Sequence, residues 1–426
     1  MINFKNIIGY EDVKKELSRI CDIITNPEKY KQLGVTIPKG VLLYGDMGVG
    51  KTEFARAFCM GVNRKTFFCS KSKPNGEFVN YISQIFEKAK NEQPSIVFLD
   101  DLDKFANNDE DHKNAEEFIT VQSCIDSVAK DDVFVIATAN EIDCLPPSLL
   151  RAGRFDSIME LKIPNAIDSQ NIIKYYLSKK EFLDKEKIDE ACYLLSGNSC
   201  AKVQGILNQA GIYAGFENRK SINFDDIVKV VVRDYYKNLS APKIKDAKNL
   251  RLIAYHEAGH AVISEIFRPN SVVLLSLGGV ATGNSGFTKI FDDDRIIQTR
   301  DDLENEVCIS LGGMCGVDVK FGIQDLGGSS DVLHATSRIR DYAEDCGLLG
   351  LDKISCYRFN MAQFSEKLKS NQEDAIFNEL IKCYNKTIKL IKKNQKFLEA
   401  LAENLMEKRT LTRLEILSLK KQYYTA

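Results

Sequence analysis

The sequence predicts two successive architectures. The first is an α/β module, a parallel sheet with helices on both faces plus a helical lid, and a mostly α-helical domain follows it. Three observations carry this. The first third of the chain alternates short, continuous apolar runs with helical stretches, as expected of parallel strands covered on both faces. From about Asp168 to Tyr236 the pattern turns helical. The polar, Pro-containing segment Ser240-Ala-Pro-Lys-Ile-Lys-Asp246 then reads as a linker to a helical region interrupted by one Gly-rich, strand-like stretch. The predicted boundaries are 1–166 for the α/β core, 167–238 for the lid, 239–248 for the linker and 249–426 for the last domain.

Element by element, strands are expected at Gly40-Val-Leu-Leu-Tyr44, Thr66-Phe-Phe-Cys69, Ser95-Ile-Val-Phe-Leu99 and Asp132-Val-Phe-Val-Ile-Ala137, with Ile158-Met-Glu-Leu-Lys-Ile163 supplying a fifth. A loop at Ser196-Gly-Asn-Ser199 introduces a lid helix. The strand-like stretch spans Ser271 to Phe291, and the last helices run from about Glu373 to Asn404. With 426 residues, 44% of them apolar, the chain can bury two or three separate cores.

Composition excludes several functions. Lys+Arg 58 against Asp+Glu 60 leaves no basic excess, which argues against nucleic acid as a partner. The basic run Lys389 to Lys396 fits the solvated face of a helix. Twelve cysteines are scattered without a CxxC pair, as expected of reduced thiols in a cytoplasmic compartment. No apolar run approaches the ~18 residues of a membrane span. Membrane association is therefore expected only through an anchor outside this sequence or through a partner.

Gly45, Asp46, Met47, Gly48, Val49, Gly50, Lys51 and Thr52 follow a predicted strand and open a helix, the context of a phosphate-binding loop. Glycines let backbone N–H groups turn around phosphate oxygens, and the helix N-terminus adds favourable polarity. Lys51 is expected to reach the β- and γ-phosphates of ATP, and Thr52 to hold Mg²⁺. Ile96-Val-Phe-Leu-Asp-Asp101 is an apolar strand tipped by two carboxylates. Asp100 suits a Mg²⁺-water contact, and Asp101 the orientation of attacking water. Asn140, ending the strand Val133 to Ala139, can contact the γ-phosphate or the lytic water. Arg151 and Arg154 stand three apart beside Gly153, and arginine supplied in trans stabilises the charge of phosphoryl transfer.

In Tyr255-His-Glu-Ala-Gly-His-Ala261, His256 and His260 are four apart on a predicted helix, so both rings face one side and can grip one Zn²⁺. Glu257 can take a proton from metal-activated water as it attacks a peptide carbonyl. The chain has only four histidines, and two of them fall in this motif. A third protein ligand is needed. Chemistry alone leaves His334 and several acids open.

Together, Ile37-Pro-Lys-Gly-Val-Leu-Leu-Tyr-Gly45, the phosphate loop, Asp100-Asp101, Asn140 and Leu150-Arg-Ala-Gly-Arg-Phe-Asp156 resemble the AAA+ module of the FtsH-type zinc metalloproteases. The resemblance runs from Phe4 to about Gln422 and includes the His-Glu-Ala-Gly-His motif. It implies an AAA+ core and a zinc-peptidase domain, ATP-dependent degradation of unfolded or misfolded proteins, and a ring of identical chains, usually a hexamer. It also implies that Arg151 and Arg154 act on the neighbouring subunit's nucleotide. Leu326-Gly-Gly-Ser-Ser-Asp-Val-Leu-His-Ala-Thr336 is similar to the segment carrying the family's third ligand, which falls on Asp331, with His334 a rival on the same helix side. Leu274-Leu-Ser-Leu-Gly-Gly-Val to Gly286-Phe-Thr-Lys289 is similar to the family's edge strand beside the zinc. Main-chain pairing with substrate and a plain flexible loop are both readings of it.

Three positions depart from the family. Asp101 stands where the family has Glu. Lys73-Pro-Asn-Gly-Glu-Phe78 replaces an aromatic-Val-Gly loop that grips substrate in the ring's pore, with Pro74 near the aromatic position and Phe78 a substitute for it. Gly312-Gly-Met-Cys-Gly-Val-Asp318 retains one of the family's paired acids. These departures motivate two further readings beside the leading one: a zinc peptidase with a weak or regulatory ATPase ring, and a nucleotide-regulated remodelling module.

Overall fold

The structure is a computed structural model that describes residues 2–72, 74–106, 115–236, 247–278, 286–291, 299–324, 326–346 and 366–425. Lys73, most of the predicted linker and the middle of the strand-like stretch lie outside the described residues. The chain forms two compact units, Met1–Leu183 with Gly197–Ile222, and Asp184–Ser196 with Asn223–Ala426. Of the helices following the α/β core, α6 (Ala166–Ser178) and α8 (Cys200–Phe216) belong to the first unit, and α7 (Ile188–Leu195) and α9 (Phe224–Tyr236) to the second.

The first unit is built on five strands: β1 (Gly40–Gly45), β2 (Lys65–Cys69), β3 (Ser95–Leu99), β4 (Val133–Ala139) and β5 (Ser157–Leu161). They pair in parallel in the order β2-β3-β4-β1-β5. Alternate residues of a strand point to opposite faces, so the unbroken apolar runs feed two cores. Leu42, Val97, Val135 and Ala137 face α4 (Asn75–Asn91) and α5 (Ala115–Ser127), meeting Phe78, Ile82, Phe86 and Ile125. Val41, Leu43, Phe98 and Ile136 face α1 (Glu11–Thr25) and α3 (Lys51–Val62), meeting Leu17, Ile20, Phe54 and Phe58. The short α2 (Pro27–Lys31) follows α1 with Pro27 at its start, where the missing N–H is harmless. β5 stops at Leu161, before the expected Ile163, because its partner ends at Gly45, opposite Leu161, where β1 turns away. The loops after β1, β3 and β4 therefore gather at one end of the sheet, the carboxyl end where ligands of such folds bind.

The second unit is mostly helical. Its helices α10 (Ala247–Phe267), α11 (Arg300–Phe321), α12 (Ser329–Cys346), α13 (Glu366–Lys393), α14 (Gln395–Lys408) and α15 (Arg413–Tyr423) surround a core that includes Tyr255, Val262, Leu311, Phe397 and Leu401. α10 and α11 cross almost in backbone contact. A Cβ added to Gly259 would lie 2.2 Å from the Gly312 carbonyl oxygen, so only glycine is tolerated there. β6 (Val272–Leu277), β7 (Gly286–Ile290) and β8 (Thr410–Thr412) form an antiparallel sheet in the order β7-β6-β8. The strand-like stretch is thus a pair of strands. The third strand was not anticipated, because three residues carry no periodicity. The helices also continue to Tyr423, past the expected Asn404, restarted by a capping box between Thr412 and Glu415. Among the described residues, no helix is long and apolar enough to cross a membrane.

Candidate active site

At the carboxyl end of the five-stranded sheet, the loop after β1 makes its turns on glycines. Gly45, Gly48 and Gly50 have φ of 134°, 78° and 106°, and a Cβ on Gly45 would lie 2.1 Å from the Leu161 carbonyl oxygen. Lys51 is buried, and its ammonium donates to the Gly45 and Asp46 carbonyls at 2.7 and 2.8 Å. Burial pulls its pKa down against the attraction of Asp101, Asp103, Asp46 and Asp100. Thr52 Oγ1 and Thr138 Oγ1 both donate to Asp100 Oδ1, at 3.0 and 2.7 Å. Helix start and strand tip therefore converge on one carboxylate, as oxygen ligands of a hard cation do.

Asp101 adopts a left-handed backbone (φ 54°, ψ 54°), donates its backbone N–H to Thr138 Oγ1 at 2.9 Å, and pairs with Lys104. Asn140 Nδ2 donates to Asp103 Oδ2 at 3.2 Å, and Asp103 Oδ1 is buried without a partner among the described residues. Asp103 was missed. Its signal is the third acid in Asp100-Asp101-Leu102-Asp103. Also missed is a small apolar pocket beside Val49 and Gly50, lined by Ile7, Ile8, Ile172 and Tyr176, residues too far apart in sequence to read as a group. Arg154 is bidentate to Asp126 of α5, with Nε and Nη2 each at 2.8 Å, whereas Arg151 is exposed and has no ion pair among the described residues.

The expectation for the pore segment needs correction. Phe78 is completely buried, edge-on to Phe105 at 5.1 Å, because it falls on the inward face of α4. It cannot stand in for an exposed, substrate-gripping aromatic.

In the helical unit, α10 sets His256 and His260 one turn apart, with their Nε2 atoms 3.2 Å from each other. Asp331 in the first turn of α12 brings Oδ2 to 3.1 Å from His256 Nε2 and 3.3 Å from His260 Nε2. Among the described residues this is the one group of His, Cys, Asp and Glu whose ligand atoms converge, all lying within 4.8 Å of one another. His334 lines the same cleft but is not in the group. Its Nδ1 lies 3.2 Å from Ser310 Oγ, and of the two rivals it is Asp331 whose carboxylate converges with the imidazoles. Asp318 is turned away, accepting from Tyr384 Oη at 2.6 Å.

Four observations fit a metal here. Asp331 Oδ2 is buried with no properly formed hydrogen bond among the described residues, despite the two nearby nitrogens. Burial raises its pKa, but His256 and His260 outweigh burial and hold the carboxyl well below the usual range. His260 Nδ1 lies 2.8 Å from the Ile309 carbonyl, so it carries the ring proton and leaves the Nε2 lone pair for a cation. Finally, α11 passes the triad at Gly313, where a Cβ would lie 2.5 Å from both Nε2 atoms. The space the glycine leaves is the space the nitrogens face.

Glu257 is 7% exposed, and Thr288 Oγ1 of β7 donates to its Oε2 at 2.7 Å. Burial pushes its pKa up, against the pull of His260, His256 and Thr288. β7 is an edge strand with one partner among the described residues. It approaches so closely that a Cβ on Gly286 would lie 2.7 Å from Glu257 Oε1. A cleft of about 490 Å³ runs between β7 and α12, with Glu257 and the triad on its floor.

A phosphate loop on a parallel α/β sheet, followed by a helix-borne metal triad beside a buried carboxylate, defines an ATPase joined to a metallopeptidase. Residues 41–163 match the family described as ATPase family associated with various cellular activities (AAA), and residues 243–419 match Peptidase family M41. The chain is similar to ATP-dependent zinc metalloprotease FtsH 2 of Thermoanaerobacter sp. (strain X514), with 30% identity covering 98% of this chain and 82% of the relative. It is also similar to ATP-dependent zinc metalloprotease FtsH of Karelsulcia muelleri (strain DMIN), with 30% identity over 98% and 71% of the two chains. The FtsH protein of Thermotoga maritima is 27% identical over 96% of this chain and 71% of its own length. The chain belongs to the FtsH family of ATP-dependent zinc metalloproteases. It is an enzyme that degrades proteins and uses Zn²⁺, ATP and Mg²⁺, and the family does not favour the remodelling-module reading.

Proposed function

We propose that this chain works as a homohexameric ring that unfolds misfolded or unneeded proteins and cuts them at the cleft between β7 and α12. Residues 1–166 form its AAA+ core, 167–238 its lid and 249–426 its peptidase. The observation that carries the reading is the convergence of His256, His260 and Asp331 beside the buried Glu257. His256, His260 and Asp331 hold Zn²⁺, which when bound polarises a carbonyl and lowers the pKa of water. Glu257 holds the proton taken from water and returns it to the leaving amine, and Thr288 orients it through Oε2. The edge of β7, which has no second strand partner among the described residues, pairs with the substrate backbone, a mode that suits cutting with little sequence selectivity.

On the ATPase side, the N–H groups of Gly45 to Gly50 and the Lys51 ammonium bind the phosphates, and Thr52 and Asp100 hold Mg²⁺. The pocket beside Val49 takes the base. Asp101 and Asn140 orient the attacking water. Arg151, exposed, reaches the neighbouring subunit's nucleotide, and Arg154 follows once it leaves Asp126. A cytoplasmic setting is supported by the free thiols of ten cysteines, from Cys21 to Cys383.

Zinc analysis and casein degradation, with and without ATP, test the reading on the wild type and Glu257→Gln. The variant is expected to keep zinc and nucleotide and lose cleavage. Undiminished cleavage would refute the mechanism.

A further inference from the structure

The cleft has a floor and two walls. α10 supplies the floor with His256, Glu257 and His260, β7 backs Glu257 on one side, and α11 and α12 form the other wall. On that far wall stands His334, exposed and three residues after Asp331, so both side chains project from the same side of α12. Its ring is held by the wall. Ser310 Oγ lies 3.2 Å from Nδ1, and Ser310 is the neighbour of Ile309, whose carbonyl holds His260 by its Nδ1 at 2.8 Å. Adjacent residues of α11 thus hold two imidazoles by Nδ1, and both rings line the cleft. In His260 the other ring nitrogen, Nε2, joins the metal triad. His334 joins no converging ligand group among the described residues.

We propose that His334 is a further catalytic residue, whose Nε2–H donates a hydrogen bond to the scissile carbonyl oxygen as that oxygen gains negative charge. In the tautomer this uses, Nδ1 is the acceptor and the Ser310 hydroxyl donates its hydrogen bond to it. Ser310 Oγ also lies 3.2 Å from the Glu306 carbonyl, which keeps its helical N–H partner when the hydroxyl turns to His334. His334 forms no covalent bond and gives up no proton. The proton taken by Glu257 still goes to the leaving amine. A donor aimed at developing charge acts on the transition state more than on bound substrate, and its loss therefore lowers kcat rather than raising KM.

The inference rests on the peptidase reading, so the experiment carries Glu257→Gln beside His334→Ala and His334→Gln in the zinc-loaded full chain. A buried donor of this kind contributes about 10²-fold or more, and the exposure of His334 brings the expected loss of kcat in His334→Ala to about 10- to 100-fold. KM and zinc stoichiometry are expected to stay unchanged, and His334→Gln, which keeps an N–H donor, recovers part of the rate. Affinity for a phosphonamidate peptide, whose charged oxygens mimic the transition state, falls by the same factor as kcat/KM, while affinity for the matching amide peptide does not. Wild-type kcat in His334→Ala overturns the proposal, as does equal weakening of both peptides. Loss of zinc in both His334 variants overturns it too, by making His334 a ligand. If the alanine variant fails to fold, the glutamine variant and the peptide pair decide alone. Persistent hydrolysis by Glu257→Gln refutes the peptidase reading itself, whatever His334 does.

Discussion

Gly313→Ala adds one methyl group at the point where α11 passes the metal triad. The new Cβ would lie 2.5 Å from His256 Nε2, 2.5 Å from His260 Nε2 and 2.6 Å from His256 Cε1, closer than nonbonded carbon and nitrogen atoms approach. The rings cannot swing aside freely, because His260 is tied to the Ile309 carbonyl and is packed at 4.8 Å, edge-on, against His256. Nor can α11 retreat alone, since Gly259, Gly312 and Gly316 already set its backbone against α10. Overpacking a tight site costs about 1–3 kcal/mol. If that cost falls on the geometry that receives the cation, zinc binds about 5- to 150-fold more weakly at 1.4 kcal/mol per tenfold. Gly328→Ala is the built-in control, because its Cβ would meet Met314 Cβ at 3.4 Å and His256 Cε1 at 3.5 Å, ordinary contacts. Zinc titration against a competing chelator, with circular dichroism to verify folding, measures both variants. Wild-type zinc affinity in Gly313→Ala would refute the assignment of the metal to this triad.

Three other outcomes are expected. Thr288→Val removes the hydrogen bond that lowers the Glu257 pKa, so peptide hydrolysis falls about 10-fold and the acid limb of kcat/KM moves to higher pH, where a base must now be to ionise; an unmoved pH profile argues against this orienting role. Phe78→Ala empties a fully buried site and lowers stability by about 3–5 kcal/mol by chemical denaturation, whereas an unfolding midpoint close to wild type with loss of protein threading would return Phe78 to the pore. Lys289 is pulled down to about 8 by burial, so between that value and the unfolded pKa near 10.4 the unfolded chain binds more protons and stability rises with pH. Lys289→Met should flatten that slope and gain about 1–2 kcal/mol at pH 7, allowing for partial exposure; an unchanged slope from pH 8 to 10 assigns it elsewhere.

Much of the α/β unit was legible because its information is local. Five apolar runs became the five strands within a residue or two, and the glycines of the phosphate loop take the positive φ angles their positions require. The helical spacing of His256 and His260 likewise fixes their common side before any tertiary contact forms. Phe78 was misjudged because a loop comparison carries no burial, and α4 turns that position inward. β8 was invisible because Thr410-Leu-Thr412 becomes a strand only by pairing with β6, 134 residues away in the Ser276–Thr410 pair. Asp103 needed Asn140, from another strand end, to reveal it.

By itself, the sequence determined the two architectures, the phosphate loop and a pair of imidazoles one helical turn apart, because each depends on residues within a few positions of one another. Tertiary structure alone brings Asp331 rather than His334 to the two imidazoles, since both stand on one side of α12 and only its angle to α10 sets one carboxylate oxygen within reach of both nitrogens. It also decided that Glu257 is buried under β7, that Arg154 is held by Asp126 while Arg151 is exposed, and that glycines let α11 close over the triad. Distances between side chains on different elements follow from packing, which local periodicity does not encode.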